Sequence, residues 1–229
     1  MPIKTVTFDA YGTLFDVAAA ARNLAERDGF EHLKDIWPSV ANTWRLKQLQ
    51  YSWLREITGT YTDFWSVTED GLDFALEAHD LADTKTKSAL LELYWSLAAY
   101  PEVVAVLKAL KAGDIPTSIL SNGSKDMLQA AVQSAGIEGY LDDILSVEDV
   151  GVFKPNDKVY QMVPDRFGCK ADEILLVSSN GWDVAGGAGF GFKTLWVNRG
   201  NEPTDRLPHR PWKIARDLNS VPDIIAGAA

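Results

Sequence analysis

Short apolar runs alternate with helical patterns along much of the chain. The helical stretches carry their own start and stop residues: Ser124 is a predicted N-cap, and Gly136 stops the helix that follows it. Segments 101–112 and 155–167, which each begin with a proline, show the same pattern. The apolar runs predict four buried strands, at Ile3 to Phe8, Thr117 to Leu120, Ile174 to Val177 and Thr194 to Val197. Alternating strands and helices predict an α/β fold with a parallel sheet and right-handed crossovers.

The interval from residue 17 to residue 99 breaks this alternation. It contains no convincing strand, and its pattern predicts several helices. A simple crossover between the first two strands would need far fewer residues. We therefore expect a helical cap of residues 17–99, inserted into a core of residues 1–16 and 100–229 and lying over the carboxyl edge of its sheet. The predicted cap is rich in tryptophan: Trp37, Trp44, Trp53, Trp65 and Trp95.

Composition and charge narrow the classes of function. The chain has 229 residues, 46% of them hydrophobic, and a formal net charge of −10 at pH 7. Because phosphate contacts need a basic surface, this charge argues against nucleic-acid binding, and it also argues against attachment to an anionic membrane. No apolar run approaches the roughly 20 residues of a membrane span, no signal-peptide pattern is present, and Cys169 is the only cysteine. These features predict a soluble cytoplasmic protein.

Polar residues with catalytic potential follow the predicted strands. Because the carboxyl ends of parallel strands converge on one crevice, residues that follow different strands meet there. Each residue alone is typical of a helix cap, a turn or a solvated loop, whereas their joint occurrence in this order favours a ligand site. The candidates are Asp9 after the first strand, Ser121 and Asn122 after the second, Lys154 in a later loop, and Ser178, Asn180 and Asp183 after the third.

Four short motifs carry a resemblance to a known family. They are Asp9-x-x-x-Thr13, Ser121-Asn122-Gly123, Lys154-Pro155 and Ser178-Ser179-Asn180-x-x-Asp183. Together they resemble the four motifs of the haloacid dehalogenase superfamily. Segment 43–55 resembles the cap helix of its L-2-haloacid dehalogenases, and Gly181-Trp182-Asp183 resembles their fourth motif. The resemblance implies a Rossmann-like (HAD-like) parallel sheet core with an inserted helical cap, and a hydrolase that acts on carbon–halide bonds.

Tyr11, two residues after Asp9, distinguishes the dehalogenases from their phosphatase relatives. A phosphatase would usually place an acid there to protonate its leaving alkoxide, whereas a halide leaves without a proton. Oxygen ligands for a hard divalent cation are also sparse in the fourth motif. We therefore expect no required metal and no cofactor.

The resemblance implies a role for each residue that takes part in bond making and breaking. Asp9 attacks C2 of an L-2-haloalkanoate and forms an ester with inversion. Arg45 from the cap and Asn122 from the core receive the halide. Asn180 and Asp183 orient or activate the water that hydrolyses the ester and releases a D-2-hydroxyalkanoate.

Supporting roles follow from the same resemblance. Thr13, Lys154 and Ser178 hold Asp9 and balance its charge, and a nearby lysine should favour the ionised carboxylate. Ser121 binds the substrate carboxylate together with backbone amides at Ala10 and Tyr11. The apolar walls of the substrate site are Tyr11, Leu49, Phe64 and Trp182.

Three alternatives and one extension stay open at this point. Arg45 could be an ordinary solvated arginine on the surface of its helix. The chain could be a phosphohydrolase of the same superfamily that uses Asp9 as phosphoryl acceptor, or a non-catalytic binding protein with the same fold. The resemblance, together with the surplus of apolar residues in the tryptophan-rich cap, also implies a homodimer. The expected small-molecule partner is the 2-haloalkanoate substrate.

Overall fold

One parallel sheet organises the protein. The computed structural model describes residues 2–81 and 83–227. Within these residues the strands lie in the order β3-β2-β1-β4-β5-β6, and every neighbouring pair is parallel. Their bounds are β1 Thr5–Phe8, β2 Thr117–Ser121, β3 Asp143–Ser146, β4 Ile174–Ser178, β5 Lys193–Val197 and β6 Lys213–Ala215. The predicted parallel α/β sheet is confirmed.

Helices precede or follow almost every strand. In the core they are α5 Val103–Ala112, α6 Lys125–Ser134, α7 Asp157–Phe167, α8 Gly181–Phe190 and α9 Val221–Ala226. Between β1 and β2 lie α1 Ala19–Ala25, α2 Trp37–Thr58, α3 Phe64–Ala78 and α4 Thr84–Trp95. None of the helices in the described ranges has the length and apolar character that crossing a membrane requires.

The central strands are buried on both faces, as expected for a parallel sheet covered by helices. All residues of β1, β2 and β4 are buried. Phe8, the last residue of β1, lies opposite Ile119 of β2 and Val177 of β4. This register brings the carboxyl ends of the three strands to one edge, so the residues that follow them are neighbours.

Two strands escaped the sequence analysis, which predicted four. β3 has only two apolar residues, Ile144 and Leu145, between Asp143 and Ser146. β6 is a three-residue edge strand whose Lys213 and Ile214 are exposed. Neither segment shows the buried apolar run by which the other strands were recognised, because an edge strand is covered on fewer sides.

Several predicted helix starts also need correction. Ser124 is the N-cap of α6, and its Oγ accepts a hydrogen bond of 3.3 Å from the Met127 amide, as predicted. The segment that begins at Pro155 becomes helical only at Asp157, because Asn156 caps α7 by accepting from the Lys158 amide. The segment that begins at Pro101 likewise becomes helical only at Val103.

The two ends of the interval 17–99 lie side by side at the carboxyl edge of the sheet. Phe15 and Ala99 form an isolated antiparallel bridge, and the Tyr100 amide donates to Leu14 O at 2.9 Å. No strand occurs between these ends within the described residues, whose regular elements there are helices. The chain therefore leaves and re-enters the core at one point.

One face of α2 packs against α3. Its fully buried residues recur every four positions, at Val40, Trp44, Gln48 and Ser52, and Trp44 Nε1 donates to the Thr68 carbonyl at 2.8 Å. The opposite side is exposed and carries large apolar residues. These are Leu46, Leu54 and Ile57.

Candidate active site

Asp9 lies at the point where β1 ends, and its carboxylate is surrounded by donors. Its Oδ2 accepts from Thr13 Oγ1 at 2.9 Å and from Asn180 Nδ2 at 2.8 Å, and Lys154 Nζ lies 3.3 Å from its Oδ1. The residue is only 6% exposed. These contacts orient the Asp9 carboxylate, and its burial removes most of its contact with water.

A tight turn after Asp9 brings Thr13 back to it. Gly12 has φ +88°, and a Cβ at this position would lie 3.1 Å from Ser179 Oγ, so glycine suits both the backbone and the space. Thr13 also accepts from the Ser179 amide through Oγ1 at 2.8 Å. The turn after β1 is thereby tied to the turn after β4.

Lys154 joins two buried carboxylates. Its Nζ lies 3.3 Å from Asp9 Oδ1 and 2.9 Å from Asp183 Oδ2, and its side chain is 1% exposed. Burial by itself would lower the pKa of Lys154, but the charges and hydrogen bonds of Asp183 and Asp9 outweigh it and raise the pKa above 10.5. Lys154 is therefore a permanent cation in this site, in the position predicted for it.

Asp183 is fully buried and fully hydrogen-bonded. Its Oδ1 accepts from Tyr160 Oη at 2.9 Å, and its other oxygen faces Lys154. Burial raises the pKa of Asp183, whereas Lys154 and Ser178 act in the opposite direction. A carboxylate with a raised pKa is a stronger base, which suits proton removal from water.

Ser178 requires a correction. The resemblance implied that it holds Asp9, but its hydroxyl bonds to the carboxylate of Asp183 and accepts from the Asn180 amide at 3.1 Å. No hydrogen bond joins it to Asp9 among the described residues. Ser178 is the last residue of β4, and both Asn180 and Asp183 follow it within five residues.

The two asparagines occupy different sides of the cluster. Asn180 Nδ2 donates to Asp9, so this residue contacts the carboxylate directly in addition to any effect on water. Asn122 Oδ1 accepts from the Lys154 amide at 2.9 Å. The Nδ2 group of Asn122 has no acceptor among the described residues, so it is a donor left for an anion.

Arg45 extends from α2 of the cap to the edge of the sheet. Its Nη2 donates to Tyr11 O and to Asn180 Oδ1, both at 3.2 Å, and its Nη1 donates to Gln48 Oε1 at 2.8 Å. The residue is half-buried. It is thus a constituent of the site and not a solvated surface arginine.

Three donors that have no acceptor in the described part of the chain lie beside Asp9 or at the end of the neighbouring strand β2. The backbone amides of Ala10 and Tyr11 donate to no acceptor in the described part of the chain. Ser121 Oγ accepts from the Gly123 amide at 3.0 Å, which leaves its proton available. Tyr11 is buried, with ring centroids of Phe64 and Tyr94 at 5.9 and 5.6 Å. Polar donors and an aromatic wall therefore meet at the end of β1.

The remaining predicted wall residues lie farther toward the boundary of cap and core. Trp182 packs edge-on against Trp53 of α2, with centroids 5.3 Å apart, and lines a groove of about 840 Å³ with Ile57 and Leu207. Leu49 is half-buried on α2, between Arg45 and Trp53 in sequence. Neither has a hydrogen bond or ring contact with Asp9 among the described residues.

Known proteins are similar to this chain in sequence and in fold. The haloacid dehalogenase-like hydrolase family matches residues 3–191. (S)-2-haloacid dehalogenase 1 of Pseudomonas sp. (strain CBS-3) is 42% identical over 208 residues, which are 89% of this chain and 88% of that protein. The chain belongs to the haloacid dehalogenase-like hydrolase family. The family membership predicted from the four motifs is confirmed.

Solved structures of this family superpose on nearly the whole chain. An L-2-haloacid dehalogenase, RSc1362, matches with a TM-score of 0.92 and 36% identity, covering 99% of this chain and 100% of that one. The L-2-haloacid dehalogenase from Xanthobacter autotrophicus with chloropropionic acid covalently bound matches with a TM-score of 0.87 and 34% identity, over 99% and 100% of the two chains. The predicted HAD-like fold is confirmed.

The sequence analysis did not predict two residues that contact the site in the structure. Tyr160 is fully buried and donates to Asp183, but its position on one face of α7 between Val159 and Val163 looks like ordinary core. A Cβ at Gly186 would overlap its hydroxyl, so a small residue on α8 makes room for it. The second is Gln48, the partner of Arg45.

The cluster of charges is organised around an ammonium group and not around a cation-binding set of acids. No group of three or more His, Cys, Asp or Glu side chains within residues 2–81 and 83–227 is arranged to hold a metal ion. Lys154 Nζ lies between Asp9 and Asp183 instead. This arrangement places the carboxylates of Asp9 and Asp183 against one shared ammonium group.

Proposed function

We propose that the chain is an (S)-2-haloacid dehalogenase, which converts L-2-haloalkanoates and water to D-2-hydroxyalkanoates and halide. The observation that carries the proposal is the Asp9 carboxylate, which three donors orient and toward which a cap arginine extends. Tyr11 stands where a phosphatase would place its acid. The names of the relatives described above support the same carbon–halide hydrolase activity.

In the first half of the reaction, an oxygen of Asp9 attacks C2 from the side opposite the halogen. The new C–O bond forms as the carbon–halogen bond breaks, and its electron pair leaves with the halide. Arg45 and the free Nδ2 group of Asn122 stabilise this anion. Orienting and desolvating the carboxylate contributes to the rate, because a carboxylate in water is a weak nucleophile. Back-side attack inverts C2.

In the second half, water attacks the carbonyl carbon of the Asp9 ester. Asp183 accepts a proton from this water and returns it to the leaving alkoxide, which departs as the D-2-hydroxy acid. The oxygen from water stays in the Asp9 carboxylate, and the second proton is released to solvent. Lys154 and Tyr160 hold Asp183 in place for this step.

The substrate is oriented through its carboxylate group. The Ser121 hydroxyl and the amides of Ala10 and Tyr11 bind the substrate carboxylate. Apolar side chains exclude bulk water around the alkyl group and the nucleophile. These are Tyr11, Leu49, Phe64 and Trp182.

A single turnover in heavy-oxygen water tests the proposal. We expect (S)-2-chloropropionate to release chloride, and mass spectrometry to find the label in the peptide that contains Asp9. Asp9→Asn is the matched control and should release no chloride. Label that enters the product directly would overturn the ester mechanism, and turnover of the (R) enantiomer alone would overturn the stereochemistry.

A parallel reaction separates the phosphohydrolase alternative. The protein is incubated with p-nitrophenyl phosphate and Mg²⁺, and with (S)-2-chloropropionate in a second sample. We expect halide release without phosphate release. The reverse result would overturn the proposed function and assign Asp9 to phosphoryl transfer.

We also propose that residues 17–99 form a cap subdomain on a core of residues 1–16 and 100–229. The support is the meeting of Phe15 with Ala99 at the base of the interval. Hydrogen exchange on the full chain should show the cap helices exchanging as a unit at a different rate from the sheet. Uniform exchange over both regions would contradict this division.

A homodimer is the proposed assembly, formed by the exposed apolar face of the cap. Ile57 is 80% exposed and Leu46 67%, and Leu54 of the same helix and Phe74 of α3 are also exposed. Covering such side chains with a second copy would remove apolar surface from water. Light scattering should give a dimer for the wild type and a monomer for Leu46→Lys/Ile57→Lys. A wild-type monomer would overturn the proposal.

The cytoplasm is the proposed location. The single cysteine, Cys169, excludes an internal disulfide and suits a reducing compartment. Fractionation of the native host should recover the protein with cytoplasmic markers, and recovery with periplasmic or secreted proteins would contradict the proposal.

A further inference from the structure

Arg45 has three acceptors in the structure, and all of them are uncharged. They are Gln48 Oε1 at 2.8 Å, and Tyr11 O and Asn180 Oδ1 at 3.2 Å. Across the described ranges no carboxylate forms an ion pair with this guanidinium. Lys154, by contrast, has two carboxylate partners. The charge of Arg45 is therefore left to attract an anion that arrives in the site.

Gln48 is the nearest of these acceptors and is itself locked in position. It is 1% exposed, and its Nε2 donates to Thr68 Oγ1 at 2.7 Å and to Tyr94 Oη at 3.1 Å. Thr68 Oγ1 donates its proton to Phe64 O at 2.7 Å, so it can only accept from Gln48. This direction fixes the amide of Gln48 with its oxygen toward Arg45.

A small cavity explains why Arg45 needs to be held. The cavity measures about 80 Å³ and borders Arg45, Gln48, Trp44 and Tyr94. A long side chain without a fixed partner could turn its guanidinium into this space. The hydrogen bond from Nη1 to Gln48 keeps Nη2 directed to Tyr11 O and Asn180, at the edge of the sheet.

We propose that Gln48 is a positioning residue for halide departure, which holds Arg45 toward the leaving halide without neutralising its charge. The proposal rests on the proposed dehalogenase function. A glutamate at position 48 would keep the shape and the hydrogen bond to Arg45, but it would cancel the charge of Arg45 and would lose the donor that now bonds to Thr68 Oγ1. A methionine would fill the same volume but would not hold the guanidinium.

The leaving group provides the readout. We expect Gln48→Met to lower kcat on (S)-2-chloropropionate by about 10²-fold, which is the scale of a slightly misplaced catalytic group. The loss on (S)-2-bromopropionate should be smaller, because bromide leaves more readily and depends less on Arg45. KM should change little, since the substrate carboxylate binds at Ser121. Inhibition by free bromide should weaken in Gln48→Met and weaken further in Gln48→Glu.

Two controls separate positioning from folding. Thr86→Val removes another buried cap hydroxyl, which contacts His32 and not Arg45, and should leave the chloride-to-bromide ratio of kcat unchanged. Arg45→Ala should change that ratio by itself, and adding Gln48→Met should change it no further, because both residues act through one contact. Tyr94→Phe, which keeps Gln48 but removes one acceptor, should shift the ratio slightly in the same direction.

The outcomes distinguish this proposal from the function on which it rests. If the Gln48 variants have a lower Tm but the wild-type ratio of kcat and wild-type bromide inhibition, Gln48 is only structural and the proposal is overturned. If Gln48→Met does not fold, Gln48→Glu and Tyr94→Phe decide it by the same ratio. A wild-type chain that releases no halide from either substrate overturns both the function and this role.

Discussion

The core and the cap each place a basic side chain in the site, but the two cations have different partners. Lys154 of the core is fully buried between Asp9 and Asp183, and these two carboxylates compensate its charge. Arg45 of the cap is half-buried and bound to neutral acceptors. In the proposed mechanism the lysine with two carboxylate partners orients the nucleophile Asp9, and the arginine with neutral partners is available to the departing halide.

The largest effect that tests this contrast is expected for Lys154→Met. Removing the ammonium leaves two buried carboxylates facing each other, which should cost about 3–5 kcal/mol of the free energy of unfolding. It should also lower kcat by about 10³-fold, as loss of a charged partner in a catalytic site does. Urea unfolding and halide release measure the two quantities.

A matched surface variant shows whether burial is the reason. Lys4→Met breaks an ion pair with Glu173 in which the lysine is 57% exposed. Such a solvent-exposed pair contributes little to the free energy of unfolding, so stability and kcat should hardly change. Equal destabilisation by the two variants would contradict the account given for Lys154.

Arg45→Ala should separate activity from stability. We expect kcat to fall by about 10²–10³-fold, because the departing halide loses its cationic donor. The free energy of unfolding should fall by only about 1–3 kcal/mol, because the buried Gln48 Oε1 loses its shorter hydrogen bond and keeps only the 3.4 Å bond from Tyr94 Oη. Halide release and urea unfolding again provide the comparison. A stability loss as large as that of Lys154→Met would mean that Arg45 is primarily structural.

Tyr160→Phe should have a smaller effect, confined to the second half of the reaction. Asp183 loses one donor but keeps Lys154, so we expect kcat to fall by about 10-fold, equivalent to one hydrogen bond of about 1.4 kcal/mol. Quenched-flow mass spectrometry should show the Asp9 ester accumulating. Tyr140→Phe on the far side of the core is the control, and a slowed first step would contradict the assignment.

The smallest effect concerns pH. Because the pKa of Lys154 is raised above 10.5, the stability that its ammonium contributes is fully present below 10.5 and is lost only as the pH rises through the folded-state pKa. Alkaline unfolding curves of the wild type should show this loss, and those of Lys154→Met should lack it. As the pH is lowered, kcat should begin to fall while the pH is still above 3.8, because burial raises the pKa of Asp183 and the residue takes up its proton earlier. A loss of the Lys154 contribution below 10.5 would contradict its pairing with both carboxylates.

The sequence analysis was most successful where a chemically reactive or polar residue follows a recognisable strand or belongs to a short motif. Asp9, Asn122 and Lys154 were found because each follows a buried strand or belongs to a short motif, and parallel strands place such residues together. Strands β3 and β6 were missed because edge strands lack a continuous apolar run. The fold class can be predicted from the alternation of apolar runs and helical patterns. The number of strands is harder to predict, because edge strands of the sheet are only partly covered and carry fewer apolar residues.

Side-chain partners were predicted less well than positions. Ser178 was expected at Asp9 but bonds to Asp183, since one strand end can face either carboxylate. Tyr160 and Gln48 both have the spacing of core residues on a helix, and only the structure shows what their polar atoms contact. A glutamine on the helix face that also carries Val40 and Trp44 is the sequence signal that could have identified Gln48.

The bridge between Phe15 and Ala99 has a consequence for the history of such a chain. Because the insertion is closed at its base, the sheet is affected by the distance between its two ends and not by what lies between them. Doubling the length of a closed segment adds only about 0.6 kcal/mol of loop-closure entropy. The length of the cap can therefore change at little cost to the core, provided that Arg45 and Glu56 keep the contacts by which the cap reaches the residues around Asp9 and Lys154. Substrate choice can evolve on one side of this bridge while the nucleophile is preserved on the other.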